Sequence, residues 1–129
     1  MSAREGGFRL LYLVNLSVSD IERSGAFYDS VLAPLGWRRQ ENGESGIAWG
    51  LQRPVFYITK EESQRPGFGH VSFAAKSIPA VRAAHESGVA NGGESEAEPG
   101  SSPLLGGATY AARLYDPDGY LVEFVAAPG

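Results

Sequence analysis

His70 opens the segment His70-Val71-Ser72-Phe73-Ala74-Ala75, and Glu123 interrupts the apolar run Tyr120-Leu121-Val122 and Phe124-Val125. An imidazole and a carboxylate are the side chains that ligate divalent cations or move protons near neutral pH. Glu123 makes the stronger candidate, because a carboxylate among apolar neighbours is costly to bury unless it is paired, bound to an ion or shifted in pKa. His70 alone is equally consistent with an imidazole hydrogen-bonded at the start of a strand, for instance to Glu123. Arg113 is the one cation of the segment 109–125 and suits either an anionic ligand or a surface acid. Asn15, Trp49, Tyr57, Ser72 and Tyr110 are the remaining candidate ligand contacts, although aromatics on strands usually belong to a core. His85 reads as a helix-surface residue, Asp116 and Asp118 as turn formers, and Glu94, Glu96 and Glu98 as a solvated run with some capacity to attract a cationic ligand.

A repeat positions these residues. Leu13-Val14-Asn15-Leu16-Ser17-Val18 overlays His70-Val71-Ser72-Phe73-Ala74-Ala75 without a gap, an offset of 57 residues. Each copy alternates as a half-buried strand does, with Leu13, Asn15 and Ser17, or His70, Ser72 and Ala74, on the face away from the uniformly apolar one. Asp20 and Ser77 then stand as N-caps of helices, the first ending near Pro34 and Gly36 and the second at Gly88. Gly46–Leu51 and Pro54–Thr59 read as strands around a Gln52-Arg53 turn. Thr109–Tyr115 and Tyr120–Val125 read as a hairpin closed by Asp116-Pro117-Asp118-Gly119. The polar stretch 60–68 reads as a linker, and the Gly-, Glu-, Ser- and Pro-rich stretch 91–107 as a mobile loop.

The predicted architecture is α+β: two βαβββ modules, about 8–62 and 68–127 within one domain of 129 residues, forming a curved, cup-like mixed sheet with helices outside. Small and polar residues facing the cup point to a liganded cavity rather than a sealed core. A formal charge of −4 and a pI of about 5.1 argue against a nucleic-acid or anionic-membrane partner. No cysteine is present to form disulfides or thiolate sites. The apolar run 10–14 is too short for a signal core or a membrane span, so a cytoplasmic location is the default expectation.

Asn15-Leu16-Ser17-Val18-Ser19-Asp20 with Glu22-Arg23-Ser24 and Phe27-Tyr28, then His70-Val71-Ser72-Phe73, then Asp116-Pro117-Asp118-Gly119-Tyr120-Leu121-Val122-Glu123 together resemble the vicinal oxygen chelate superfamily. This group includes glyoxalase I, fosfomycin-resistance transferases, extradiol dioxygenases and bleomycin-resistance proteins. The resemblance implies a divalent metal (Zn, Ni, Mn or Fe) held in the cup by a His on the first strand of each module and a Glu on the last strand. Carried over by position, His70 and Glu123 are two of these ligands, whereas Leu13 stands where the first-module His belongs. A fourth ligand used by some relatives finds only Tyr57 here. Two functions remain open. In one, the cup binds or sequesters a small molecule over an incomplete metal site. In the other, a metal-dependent lyase, isomerase or dioxygenase uses Glu123 as ligand and base. The resemblance also implies a homodimer in which modules of different subunits complete each cup.

Overall fold

The computed structural model describes residues 14–61, 69–102 and 109–126. Leu13, most of the linker 60–68 and the end of the stretch 91–107 lie outside these residues. The chain runs β1 (Val14–Val18), α1 (Ile21–Leu32), a single 3-10 turn (Ala33–Leu35), β2 (Arg38–Asn42), β3 (Gly46–Gly50), β4 (Phe56–Lys60), β5 (His70–Ala75), α2 (Ile78–Ala90), β6 (Glu94–Ser102), β7 (Thr109–Tyr115) and β8 (Leu121–Ala126). The strands form two four-stranded mixed sheets ordered β1-β4-β3-β2 and β5-β8-β7-β6. This is the βαβββ plan twice over, in an α+β fold.

Local chemistry accounts for the helices. The Asp20 side chain accepts from the backbone N–H groups of Glu22 and Arg23, and Ser77 accepts from that of Ala80, so each helix starts on a capped turn. Within each module the first strand returns parallel to the last, β1 to β4 and β5 to β8, and the helix supplies the crossover that parallel pairing requires. The register repeats as well: Asn15 lies opposite Tyr57, and Ser72 lies opposite Glu123.

Alternation divides each strand between two faces. Leu16 and Val18, like Phe73 and Ala75, are buried toward the helices, whereas Asn15, Ser17, His70, Ser72 and Ala74 lie on the other face. The core joins both modules. Phe56 of β4 meets Phe73 of β5 edge to face at 5.1 Å between ring centroids, and Phe73 stacks on Phe124 at 6.3 Å. Gly88 lets α1, α2 and β7 come together, since a Cβ there would stand 2.7 Å from Leu114 and 2.8 Å from Val31.

A polar clasp adds direction to this apolar contact. The Asp116–Gly119 turn docks on the start of α1: Ser19 Oγ donates to Asp118 at 2.6 Å, and the buried Tyr28 hydroxyl donates to Asp116 at 2.5 Å. The Tyr120 hydroxyl donates to the Ser17 carbonyl at 2.8 Å. Gly119 adopts φ 96, the left-handed backbone that the turn needs. Burial raises the Asp116 carboxyl above its ordinary range even though Tyr28 and two backbone N–H groups pull it back. Burial, reinforced by Asp116, pushes the Tyr28 phenol well above its own. Asp116 and Asp118 thus form the turn as expected and also hold the two modules together.

Three expectations are corrected. Residues 94–102 of the supposed mobile loop form β6, an edge strand whose register slips between Ser95 and Ala97 and between Ala97 and Gly100. Such bulges accommodate Pro99 and the small residues at a sheet edge. β2 has no counterpart in the sequence reading, because a polar edge strand such as Arg38-Arg39-Gln40-Glu41-Asn42 lacks an apolar alternation. His85 is buried against β6, with Nε2 2.8 Å from Ser95 Oγ, and is not a surface residue. No helix among the described residues is long and apolar enough to cross a membrane.

Candidate functional site

Period-two alternation on β5, β7 and β8 gathers the chemistry of the second module on the face opposite α2. His70 begins β5 with its side chain 48% exposed, and Ser72 follows on the same face. Glu123, opposite Ser72, is only 2% exposed. Ser72 Oγ donates to Glu123 Oε1 at 2.6 Å, and His70 Nε2 stands 3.5 Å from that same oxygen. Arg113 lies opposite Glu123 on β7, but its Nε donates to Glu96 Oε1 at 2.7 Å. A hollow of about 220 Å³ lies over this face, walled by Ala97, Glu98 and Gly100 of β6, Ala111 and Arg113 of β7, and Glu123 of β8.

The corresponding face of the first module carries Asn15, Tyr57 and, across β3, the exposed carboxylate of Glu41, with no histidine among the described residues of that module. Asn15 accepts from Thr59 Oγ1 at 3.3 Å, and the Tyr57 hydroxyl donates to Glu41 at 3.4 Å. By register, Tyr57 occupies the place that Glu123 occupies in the second module. Desolvation, reinforced by the Glu41 carboxylate, raises the Tyr57 phenol above its ordinary range, so the group is neutral at physiological pH. A neutral phenol is a poor ligand for a divalent cation.

The structure therefore brings His70, Ser72, Arg113 and Glu123 together and places Asn15 and Tyr57 on the other sheet. Two expected contacts leave the site. Trp49 is 1% exposed, on the helix side of β3, where its ring meets Tyr28 and Phe56 and its Nε1 donates to Asp29 at 3.0 Å. Tyr110 shares the helix-facing side of β7 with Ala112 and Leu114, and its hydroxyl accepts from Arg82 of α2 at 2.9 Å. The β-strand period sends both rings to the core side, where aromatic area is best used. Conversely, Glu98 lines the hollow and Glu96 holds Arg113 at its wall, although both read as part of a solvated run. The alternation Glu94-Ser95-Glu96-Ala97-Glu98 is the signal that could have identified them.

Among the described residues, no group of three or more His, Cys, Asp or Glu side chains converges as a metal site would require. A catalytic zinc, for comparison, takes about three protein ligands and keeps one position open. His70 and Glu123 supply two donors, so the residues present do not fit a resident catalytic metal of that type.

Comparison with known proteins agrees with this geometry at the level of fold and family. A family model described as the Glyoxalase/Bleomycin resistance protein/Dioxygenase superfamily matches residues 9–124. The lactoylglutathione lyase of Salmonella typhimurium is 35% identical over 131 residues, covering 92% of this chain and 93% of the relative. Among solved structures, a glyoxalase/bleomycin resistance protein from Albidiferax ferrireducens T118 superimposes with a TM-score of 0.80 at 31% identity, over 91% of this chain and 98% of its own. The fosfomycin resistance protein FosX of Listeria monocytogenes shares the fold, with a TM-score of 0.65 at 22% identity over 91% of this chain and 92% of its own.

Proposed function

Because the chain belongs to the glyoxalase/bleomycin resistance protein/dioxygenase superfamily, we propose that it takes up a small molecule on the β5–β8 face and does so without a resident metal ion. The donor set carries this reading. His70 and Glu123 match the family's second-module ligands, but the matching first-module positions are Leu13 and Tyr57. A homodimer of the kind the resemblance implies, with the first module of one chain set against the second of its partner, would cover the hollow without completing the metal site. By sequence position it would offer Leu13 and Tyr57 where two further donors are needed. What remains is a pocket whose buried carboxylate, with the half-exposed His70 imidazole beside it, binds and orients a ligand by hydrogen bonds and charge.

A second reading has a specific observation in its favour. The Salmonella relative, 35% identical over 92% of this chain, is a lactoylglutathione lyase. On that reading His70 and Glu123 hold a divalent ion with water or substrate oxygens filling the shell, and the ion would stabilise developing negative charge on the substrate. Metal content of protein purified without chelator separates the two. We expect well below one ion per chain, and titration with Mn, Ni, Zn and Fe to give only weak binding. One tightly held ion per chain would overturn the metal-free reading in favour of the enzyme.

A further inference from the structure

Resting on the reading that the second-module hollow is the ligand site, we propose that its ligand is a compact organic cation whose protonated amine sits against Glu123 and Glu98. The hollow has three ionisable side chains on its wall, Glu98, Arg113 and Glu123. The positive charge of Arg113 is already matched, since its Nε is hydrogen-bonded to Glu96 at 2.7 Å. That leaves two carboxylates on the hollow's wall, the buried Glu123 and the exposed Glu98, without a guanidinium or ammonium of their own among the described residues.

Their polar partners satisfy lone pairs but not charge. Ser72 Oγ donates to Glu123 Oε1, and Ser95 Oγ donates to Glu98 Oε2 at 3.1 Å. Both donors are neutral hydroxyls. Among the described residues the basic group that reaches Glu123 is His70, at 3.5 Å and half exposed to solvent. A carboxylate only 2% exposed, with one oxygen held by a hydroxyl, is costly to keep there unless a donor bearing positive charge meets it. Attraction between opposite charges at such a site is several times stronger than in bulk water.

The remaining walls suit a flat, compact body. Ala97, Gly100 and Ala111 put little side-chain bulk into a hollow of about 220 Å³, with Ser101 and Ser102 beside them. A glutathione thioester, which carries two carboxylates and one ammonium, would set net negative charge against this wall. The hollow is therefore matched to a different ligand class from the one for which the Salmonella relative is named.

The test uses three isosteric probes, benzylamine, benzyl alcohol and benzoate, titrated into 15N-labelled full-length protein with amide shifts followed by NMR. Benzylamine should shift amides of β6–β8, including Ala97, Ala111 and Glu123, and bind about tenfold more tightly than benzyl alcohol, with benzoate weakest. Glu123→Gln should remove most of that preference and Glu98→Gln part of it, and added salt should weaken benzylamine selectively. The Glu98 variant, at an edge strand, and the salt series keep the test decisive should Glu123→Gln disturb folding. If benzyl alcohol or benzoate shifts the same amides at equal or higher affinity, the cationic assignment fails while the ligand site stands. A benzylamine preference that survives both substitutions overturns the assignment too. If no probe shifts β6–β8, the hollow is not a ligand site and both readings fall together.

Discussion

The two modules share a backbone plan and a strand register, yet their side chains have taken opposite tasks. Behind its sheet, the first module packs Phe27, Tyr28, Trp49 and Phe56 as a tight aromatic set, with Phe27 and Tyr28 at 4.8 Å and Tyr28 and Phe56 at 4.8 Å. The second fills the same layer largely with Ala80, Ala84, Ala112 and Ala126 around Phe73 and Phe124. On the opposite face the contrast inverts: Tyr57 and Asn15 in the first module stand where Glu123 and Ser72 stand in the second. One half has become the packing anchor and the other holds the buried carboxylate and the imidazole beside it. A duplicated backbone can thus keep its geometry while dividing stability and chemistry between its copies.

The largest test of that division truncates the anchor. Phe56→Ala should destabilise the fold by about 3–5 kcal/mol in denaturant unfolding, through lost burial and a cavity among Tyr28, Trp49 and Phe73. Its neighbour Tyr57, on the open face of the same strand, should cost less than about 1 kcal/mol when changed to Ala. Equal costs would mean that the aromatic layer is not the anchor.

The clasp between modules comes next. Tyr28→Phe removes the buried hydroxyl that donates to Asp116 and should cost about 1–3 kcal/mol, because the carboxylate loses a partner that it cannot replace with solvent. The pH dependence sharpens this. Burial raises the folded-state pKa of Asp116, so the group's contribution to stability is fully present below the ordinary carboxylate value and is lost as pH rises through the raised one. Asp116→Asn does not titrate, so its stability relative to the wild type should improve as pH climbs through that window. A difference that stays flat from acid to neutral pH would contradict the assignment. Ser77→Ala, which uncaps α2 beside the chemical module, should have the smallest effect, about 1 kcal/mol, and leave the hollow unchanged by the NMR probe assay.

Much of this was legible in the sequence, and the failures share a cause. The 57-residue repeat, the two capped helices and the β7–β8 hairpin follow from apolar alternation, cap residues and turn residues, all of which act locally. β2 and β6 are polar edge strands held by pairing with a neighbour, and that pairing leaves no apolar signature within the segment itself. The site divided similarly. Glu123 was visible because a carboxylate breaks an apolar run, whereas Trp49 and Tyr110 were ambiguous because an aromatic suits either face of a strand. Glu96 and Glu98 lie on β6, whose polar pattern reads as a loop, and the union of Tyr28 with Asp116 joins residues 88 positions apart.

The asymmetry between modules is tested most directly by calorimetric titration of Ni or Zn into the wild-type protein beside Leu13→His. The wild type should bind weakly, and the variant should show a clear gain in affinity approaching one ion per chain, as a third donor joins His70 and Glu123. A wild-type protein that holds one ion per chain as tightly as the variant would contradict the asymmetry.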